Sequence, residues 1–167
     1  MRKLIIIWIS IISSSVFSQT TIESILNKYN DKSVPYIHTE SLKNRAREAL
    51  ILDSREKKEF EVSHLRNAQY IGFEEFDNLV LEKLSSDLSA DKNRLIVVYC
   101  SIGVRSEIIG KKLMKHGFTN VYNLYGGLFE WVNKGGSVFH KGIQTQKVHA
   151  YSKKWSRYLT KGIKIYE

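Results

Sequence analysis

Leu95-Ile96-Val97-Val98-Tyr99-Cys100-Ser101-Ile102-Gly103-Val104-Arg105-Ser106 is the stretch on which the reading of this chain turns. Its first five residues form a continuous apolar run, bounded by polar Asp91, Lys92, Asn93 and Arg94 before it and by Ser101 after it. Such a run lacks the alternation of a half-solvated strand and predicts one covered on both faces, as in a parallel sheet. Beyond a turn at Gly103, residues 106–116 fit a helix with Ile108, Ile109 and Leu113 inward and Gly117 as its stop. Cys100 therefore stands where a buried strand ends and a loop leads into a helix, the end of α/β sheets at which ligands bind.

Working outward, the chain keeps alternating between the two periodicities. Towards the N-terminus, residues 49–52 and 68–72 read as strands, with a charged segment at 53–60 between them. Residues 73–84 carry Phe76, Leu79, Val80 and Leu84 on one helical face. Residues 36–38 form a short strand candidate, and Thr39 is placed to cap a helix running to about Glu48. Residues 20–29, with Ile22, Ile25, Leu26 and Tyr29 at helical spacing and Thr21 as cap, predict a leading helix. Towards the C-terminus come a strand at 121–124, a break at Gly126-Gly127, and a short helix at 128–133 stopped by Gly135-Gly136. Strands and helices alternating over about 100 residues predict an α/β fold with a small, mainly parallel sheet flanked by helices.

Composition is compatible with one ordinary globular domain: 167 residues, 43% hydrophobic, 26% charged and a single proline. Residues 1–18 read as a secretory signal, with Arg2 and Lys3 ahead of an apolar run at 4–12 and small residues up to Ser18, where cleavage is expected. Retention as a membrane anchor is the alternative, but Ser10 and Ser13 interrupt the run well short of the roughly 20 apolar residues that span a bilayer. The expected location is periplasmic or extracellular, soluble after cleavage. In such a compartment cysteines come in pairs, so a lone one implies an intermolecular bridge or a reactive thiol.

The loop from Cys100 to Ser106 supplies what a reactive thiol needs. Backbone N–H groups at the start of a helix can turn towards the sulfur and favour an anion there. A helix N-terminus and a nearby arginine lower a cysteine pKa from about 8.5 into the range of roughly 3.5–7.5. Gly103 can take positive φ without steric cost. Arg105 has two readings from sequence, binding an anionic substrate or bracing the loop, because a guanidinium fork suits both. The competing view of Cys100 is an inert core residue, since free cysteine is among the most buried types.

Several further pieces fall in a recognisable order. Leu52-Asp53-Ser54-Arg55-Glu56 with Glu59-Phe60, then Ser63-His64-Leu65 with Ala68, the strand and Cys100 loop, and Leu124-Tyr125-Gly126-Gly127-Leu128 with Trp131 together resemble a rhodanese-like domain over residues 36–139. That would leave 19–35 as a helical lead-in and 140–167 as an extension. Ser54 and Ser63 depart from the aliphatic residue and the glycine usual in that family. The resemblance implies a five-stranded sheet and sulfurtransferase activity: Cys100 takes sulfane sulfur from a donor such as thiosulfate and passes it, as a persulfide, to cyanide or a thiol. It makes Ser101, Ile102, Gly103, Val104, Arg105 and Ser106 the substrate loop, with Asp53, Arg55 and His64 in support. Asp53 and Arg55 read as structural partners; His64 reads chiefly as a hydrogen-bonded residue.

Rival readings remain at this point. One is a non-catalytic sulfur carrier or docking module. Phosphatase or arsenate reductase chemistry ranks lower, because four residues separate Cys100 from Arg105 where the related phosphatases have five. No metal or organic cofactor is expected, as no histidine, cysteine or carboxylate cluster has ligand spacing. Expected partners are a small-molecule sulfur donor and acceptor, with a protein thiol as an alternative acceptor.

The charge points elsewhere. Net charge is +9, and without Arg2 and Lys3 it becomes +7, with 24 basic against 17 acidic residues. Residues 140–167 hold seven of the basic residues and only Glu167 on the acidic side, interleaved with Tyr151, Trp155, Tyr158 and Tyr166. This extension reads as a helix or strap packing its aromatics on the domain, or as a contact for anionic membrane surface. Nucleic-acid binding is not expected without a recognisable motif.

Overall fold

The computed structural model describes residues 21–87 and 91–166; the signal-like segment 1–18 lies outside them. Five strands build the main sheet: β1 (Tyr36–Ile37), β2 (Leu50–Asp53), β3 (Gln69–Tyr70), β4 (Ile96–Tyr99) and β5 (Val121–Leu124). They lie in the order β1-β5-β4-β2-β3, every pair parallel, with β4 between β2 and β5. The five-stranded parallel sheet expected from the sequence is thus present.

The apolar run owes its lack of alternation to burial on both faces. Val97 and Tyr99 of β4 join Ile51, Leu124, Leu42, Leu128 and Phe129 in one core. Ile96 and Val98 face the opposite way, into a core with Leu50, Leu52, Ile109, Leu113 and Leu84. The first core is covered by α1 (Ile22–Tyr29), α2 (Thr39–Arg45), α6 (Gly127–Asn133) and part of the extension; the second by α4 (Asn78–Asp87) and α5 (Arg105–Lys115).

Four local expectations need correction. Thr39 is the first residue of α2 rather than its cap; His38 holds the cap position, and the helix ends at Arg45 rather than near Glu48. α4 starts at Asn78, not Phe73, because the Asp77 carboxylate accepts the N–H groups of Leu79 and Val80 at 2.9 and 3.0 Å. The later start sets the inward phase by Leu81 and Leu84 and leaves Leu79 72% exposed. On α5 the inward stripe is Ser106, Ile109, Gly110 and Leu113, so Ile108 is 45% exposed. Finally, the charged segment 53–60 contains the start of a helix, α3 (Lys57–Val62), which charge density concealed from a search for apolar periodicity.

The extension is not one helix but a set of short strands and a 3-10 turn packed on the domain. A hairpin of β6 (Val138–His140) and β7 (Ile143–Thr145) leads into β8 (Lys147–His149), which pairs in parallel with β9 (Ile163–Ile165) across a 3-10 turn at Trp155–Tyr158. Val148, Ala150, Tyr158 and Leu159 are buried in the first core. Ser63, one of the two departures noted in sequence, donates its hydroxyl to the Lys147 carbonyl at 2.6 Å and so ties β8 to the C-terminal end of α3.

Candidate active site

Cys100 follows β4 at the carboxyl edge of the sheet and is 2% exposed. Its sulfur is nevertheless not enclosed by hydrocarbon. The Gly103 N–H points at Sγ from 3.1 Å, and Cys100 helps line an open cavity of about 240 Å³. Gly103 has φ +110, a conformation that lets its amide turn back to the sulfur and that a side chain rarely adopts.

Two asparagines anchor Gly103 on its other side, through the peptide that follows it. Its carbonyl accepts from Asn30 Nδ2 at 2.9 Å and from Asn123 Nδ2 at 2.8 Å. Asn123 also donates to Glu107 Oε2 at 3.1 Å, which fixes its amide so that Oδ1 faces Ser106. The Ser106 hydroxyl lies 2.8 Å from that Oδ1 and 3.6 Å from Cys100 Sγ. It has one proton to give. The shorter contact to a carbonyl oxygen takes it, leaving the sulfur to backbone amides.

In this structure Arg105 braces the loop. Its Nη1 and Nη2 donate to Glu59 at 2.8 and 3.0 Å, Nη2 also reaches Ser101 Oγ at 3.1 Å, and Glu56 lies 3.4 Å from Nη1. Glu59 is fully buried and accepts two further hydrogen bonds, from Ser101 Oγ at 2.7 Å and from the Glu56 N–H at 3.0 Å. One carboxylate thus caps α3, holds Arg105 and fixes the first loop residue. Burial alone would push the Glu59 carboxyl up, but the Arg105 guanidinium outweighs it and keeps the group below its ordinary value.

The same balance operates on the thiol. Burial pushes Cys100 up; the positive charge of Arg105 and the N–H groups of Ser106 and Gly103 more than offset it, so the thiol lies below its ordinary value. The Ser106 hydroxyl, engaged with Asn123, adds little to that lowering.

Asp53 and Arg55 form a fully buried pair, Nη2 to Oδ2 at 2.6 Å, with Arg55 Nε also on the carboxylate. Arg55 further donates to the Ser63 carbonyl at 2.7 Å, and the pair cross-links the ends of β2 and α3. His64 stacks on Phe60 at 4.2 Å, and its Nδ1 lies 2.9 Å from the Leu65 carbonyl; it is not among the residues lining the cavity. Ser101, Ile102, Val104 and Arg105 do line it, together with Tyr29, Tyr151 and Trp155.

Sequence reasoning gave no role to Asn30, Asn123 or Glu59. Asn123 carries a signal that was there to read, an amide inside an otherwise apolar strand. Gly127 shows why the double glycine follows β5: at φ +56 a Cβ there would fall 2.3 Å from the Cys100 carbonyl oxygen and 2.8 Å from the Ile102 nitrogen. α6 can then donate the N–H groups of Leu128 and Phe129 to the Cys100 and Ser101 carbonyls at 2.8 and 3.0 Å.

Comparison with known proteins places this geometry. The family model described as Rhodanese-like domain matches residues 38–134. A tRNA uridine(34) hydroxylase from Hamiltonella defensa is 38% identical over 85 residues, which is 51% of this chain and 24% of that protein. The chain thus spans about a quarter of the length of the curated relatives it matches. A solved rhodanese-like domain from Anabaena sp. is 27% identical with a TM-score of 0.55, covering 65% of this chain and 80% of that one. A thiosulfate sulfurtransferase from Pseudomonas aeruginosa is 25% identical with a TM-score of 0.58, covering 83% of this chain and 25% of that one.

Proposed function

The chain belongs to the rhodanese-like domain family, and from that membership we propose that it is a sulfurtransferase carrying sulfane sulfur as a persulfide on Cys100. The observation that carries the reading is the Gly103 amide, 3.1 Å from a sulfur that opens on a cavity.

The Cys100 thiolate attacks the outer sulfur of a donor such as thiosulfate. Its electron pair forms the new S–S bond, and the pair of the broken S–S bond leaves with sulfite. The terminal sulfur of the persulfide is then the anion that the inward-turned amides stabilise. Cyanide attacks that outer sulfur and departs as thiocyanate, returning the thiolate; a thiol acceptor, attacking as its thiolate, departs as a persulfide. Arg105 shapes the loop and contributes its charge, while Asp53, Arg55 and Glu59 hold the strand ends and loop. His64 takes no step.

The test is steady-state sulfur transfer to cyanide from a panel of donors, thiosulfate included, with Cys100→Ser as control. Turnover that Cys100→Ser abolishes supports the enzyme. Stable loading of Cys100 with background turnover would instead favour a carrier that serves a partner. The similarity to tRNA uridine(34) hydroxylases supports a second reading, in which the same thiol serves hydroxylation of a tRNA uridine by an added two-electron oxidant such as dioxygen. Mass analysis of nucleosides from tRNA incubated with the protein separates the two.

A further inference from the structure

The cavity over Cys100 is finished by residues from outside the family match. Tyr29 ends α1, and Tyr151 and Trp155 come from the extension, whereas the match covers 38–134. Resting on the sulfurtransferase reading, we infer that this aromatic wall selects sulfane-sulfur donors with an apolar, aryl-type body, such as an aromatic thiosulfonate, over the bare inorganic dianion.

Electrostatics supply the first reason. Among the described residues lining the cavity, Arg105 alone carries a charge, and both of its terminal nitrogens are engaged by Glu59. A dianion entering there would surrender hydration without a free cation to replace it. An organic thiosulfonate brings one negative charge, on the sulfur that is transferred, and an uncharged body. Size and surface supply the second. A cavity of about 240 Å³ offers more room than thiosulfate fills. Ile102, Val104 and three aromatic side chains form most of the remaining wall.

The wall is also built, not incidental. Tyr151 has φ +63, a left-handed backbone that is a genuine outlier for a bulky residue and is sustained only where surroundings impose it. Its N–H donates to His149 Nδ1 at 3.2 Å, and the next residue, Ser152, donates to the Ala150 carbonyl at 2.7 Å. The ring is 5.0 Å from the Arg105 guanidinium, although the residue remains 48% exposed. Trp155 packs at 5.8 Å from the Tyr158 ring, and Tyr158 is buried in the first core. β8, which precedes this turn, is tethered by Ser63.

The chemistry balances without an added redox partner. The Cys100 thiolate attacks the terminal sulfur of the thiosulfonate, one S–S bond forms, and the bond between that sulfur and the sulfonyl sulfur breaks with its pair leaving on the sulfinate. Two negative charges enter and two leave, one on the persulfide and one on the sulfinate.

The experiment measures persulfide loading rates of the full chain with benzenethiosulfonate, methanethiosulfonate and thiosulfate, each divided by its rate with free cysteine to remove intrinsic reactivity. The wild type is expected to prefer the aryl over the methyl donor by about tenfold, the scale of a ring stacked in an aromatic site. Tyr151→Gly relieves the backbone while deleting the ring, and should cut the preference several-fold without lowering the melting temperature. Trp155→Ala should cut it similarly. Loading by all three donors with no aryl preference, or with a preference that survives both substitutions, overturns the selectivity alone. Failure of every donor to load Cys100 overturns the sulfurtransferase reading and the selectivity with it.

Discussion

Glu59→Gln isolates the contact that joins fold stability to thiol chemistry. The carboxylate is fully buried and accepts four hydrogen bonds: two from Arg105, one from Ser101 and one from the Glu56 N–H. Glutamine keeps one acceptor oxygen, so two of these survive while an NH2 group confronts the other two donors. Losing two hydrogen bonds to a charged group, at roughly 1.5 kcal/mol each because Arg105 keeps Glu56 and some solvent, costs about 3 kcal/mol. For a chain of this size that is a fall of roughly 6–12 °C in melting temperature. Since the Glu59 pKa is lowered on folding, its contribution is present above the ordinary carboxylate value and lost as pH falls through the folded value. The gap between wild type and variant should therefore close in acid. The thiol should respond in the opposite sense: with Glu59 neutral, Arg105 is less compensated and draws the Cys100 pKa further down. Thermal melts and the pH dependence of Cys100 alkylation read both. An alkylation midpoint that stays put or rises would refute the account of Arg105 as the charge acting on the sulfur.

Asn123→Ala removes one of two anchors on the Gly103 carbonyl and should cost about 2–3 kcal/mol in denaturant unfolding, since it also strands Glu107 and the Ser106 hydroxyl. Gly127→Ala drives a Cβ into the Cys100 carbonyl and the Ile102 nitrogen, backbone atoms that cannot swing away; a loss above about 3 kcal/mol together with failed persulfide loading is expected. Burial pushes the imidazole of His149, 1% exposed, below the ordinary 6.5. Stability should fall as pH drops below that value, and melts at about pH 7.5 and about pH 5.5 should show a smaller fall in His149→Gln. If residues 1–18 act as a cleaved secretory signal, the mature protein begins at Gln19, which intact mass would read directly.

The sheet was legible because its central strands are apolar on both faces, and β4 in particular admits no other reading than a covered strand. What escaped was held by polar groups. α3 is written in charges, Lys57-Lys58-Glu59, and depends on the Glu59 carboxylate accepting the Glu56 N–H rather than on an apolar stripe. The phase of α4 was missed because Asp77, a cap, outranks Phe73 and Phe76 in deciding where the helix starts. Around the site, Cys100 and its loop stand together in sequence, whereas Glu59 and Asn123 reach it only through the strand order. The division between the two readings of Arg105 depended on a carboxylate 46 residues away. Tyr151 and Trp155 looked like aromatics on a basic tail, and only the folding back of β8 brings them to the cysteine.

Intact-mass analysis of the full chain after incubation with the donor panel and no reducing agent tests the central claim most directly. One added sulfur, found on the peptide containing Cys100 and released by cyanide as an equal amount of thiocyanate, is the predicted result. An unchanged mass with every donor, from protein whose Cys100 is reduced, would contradict it.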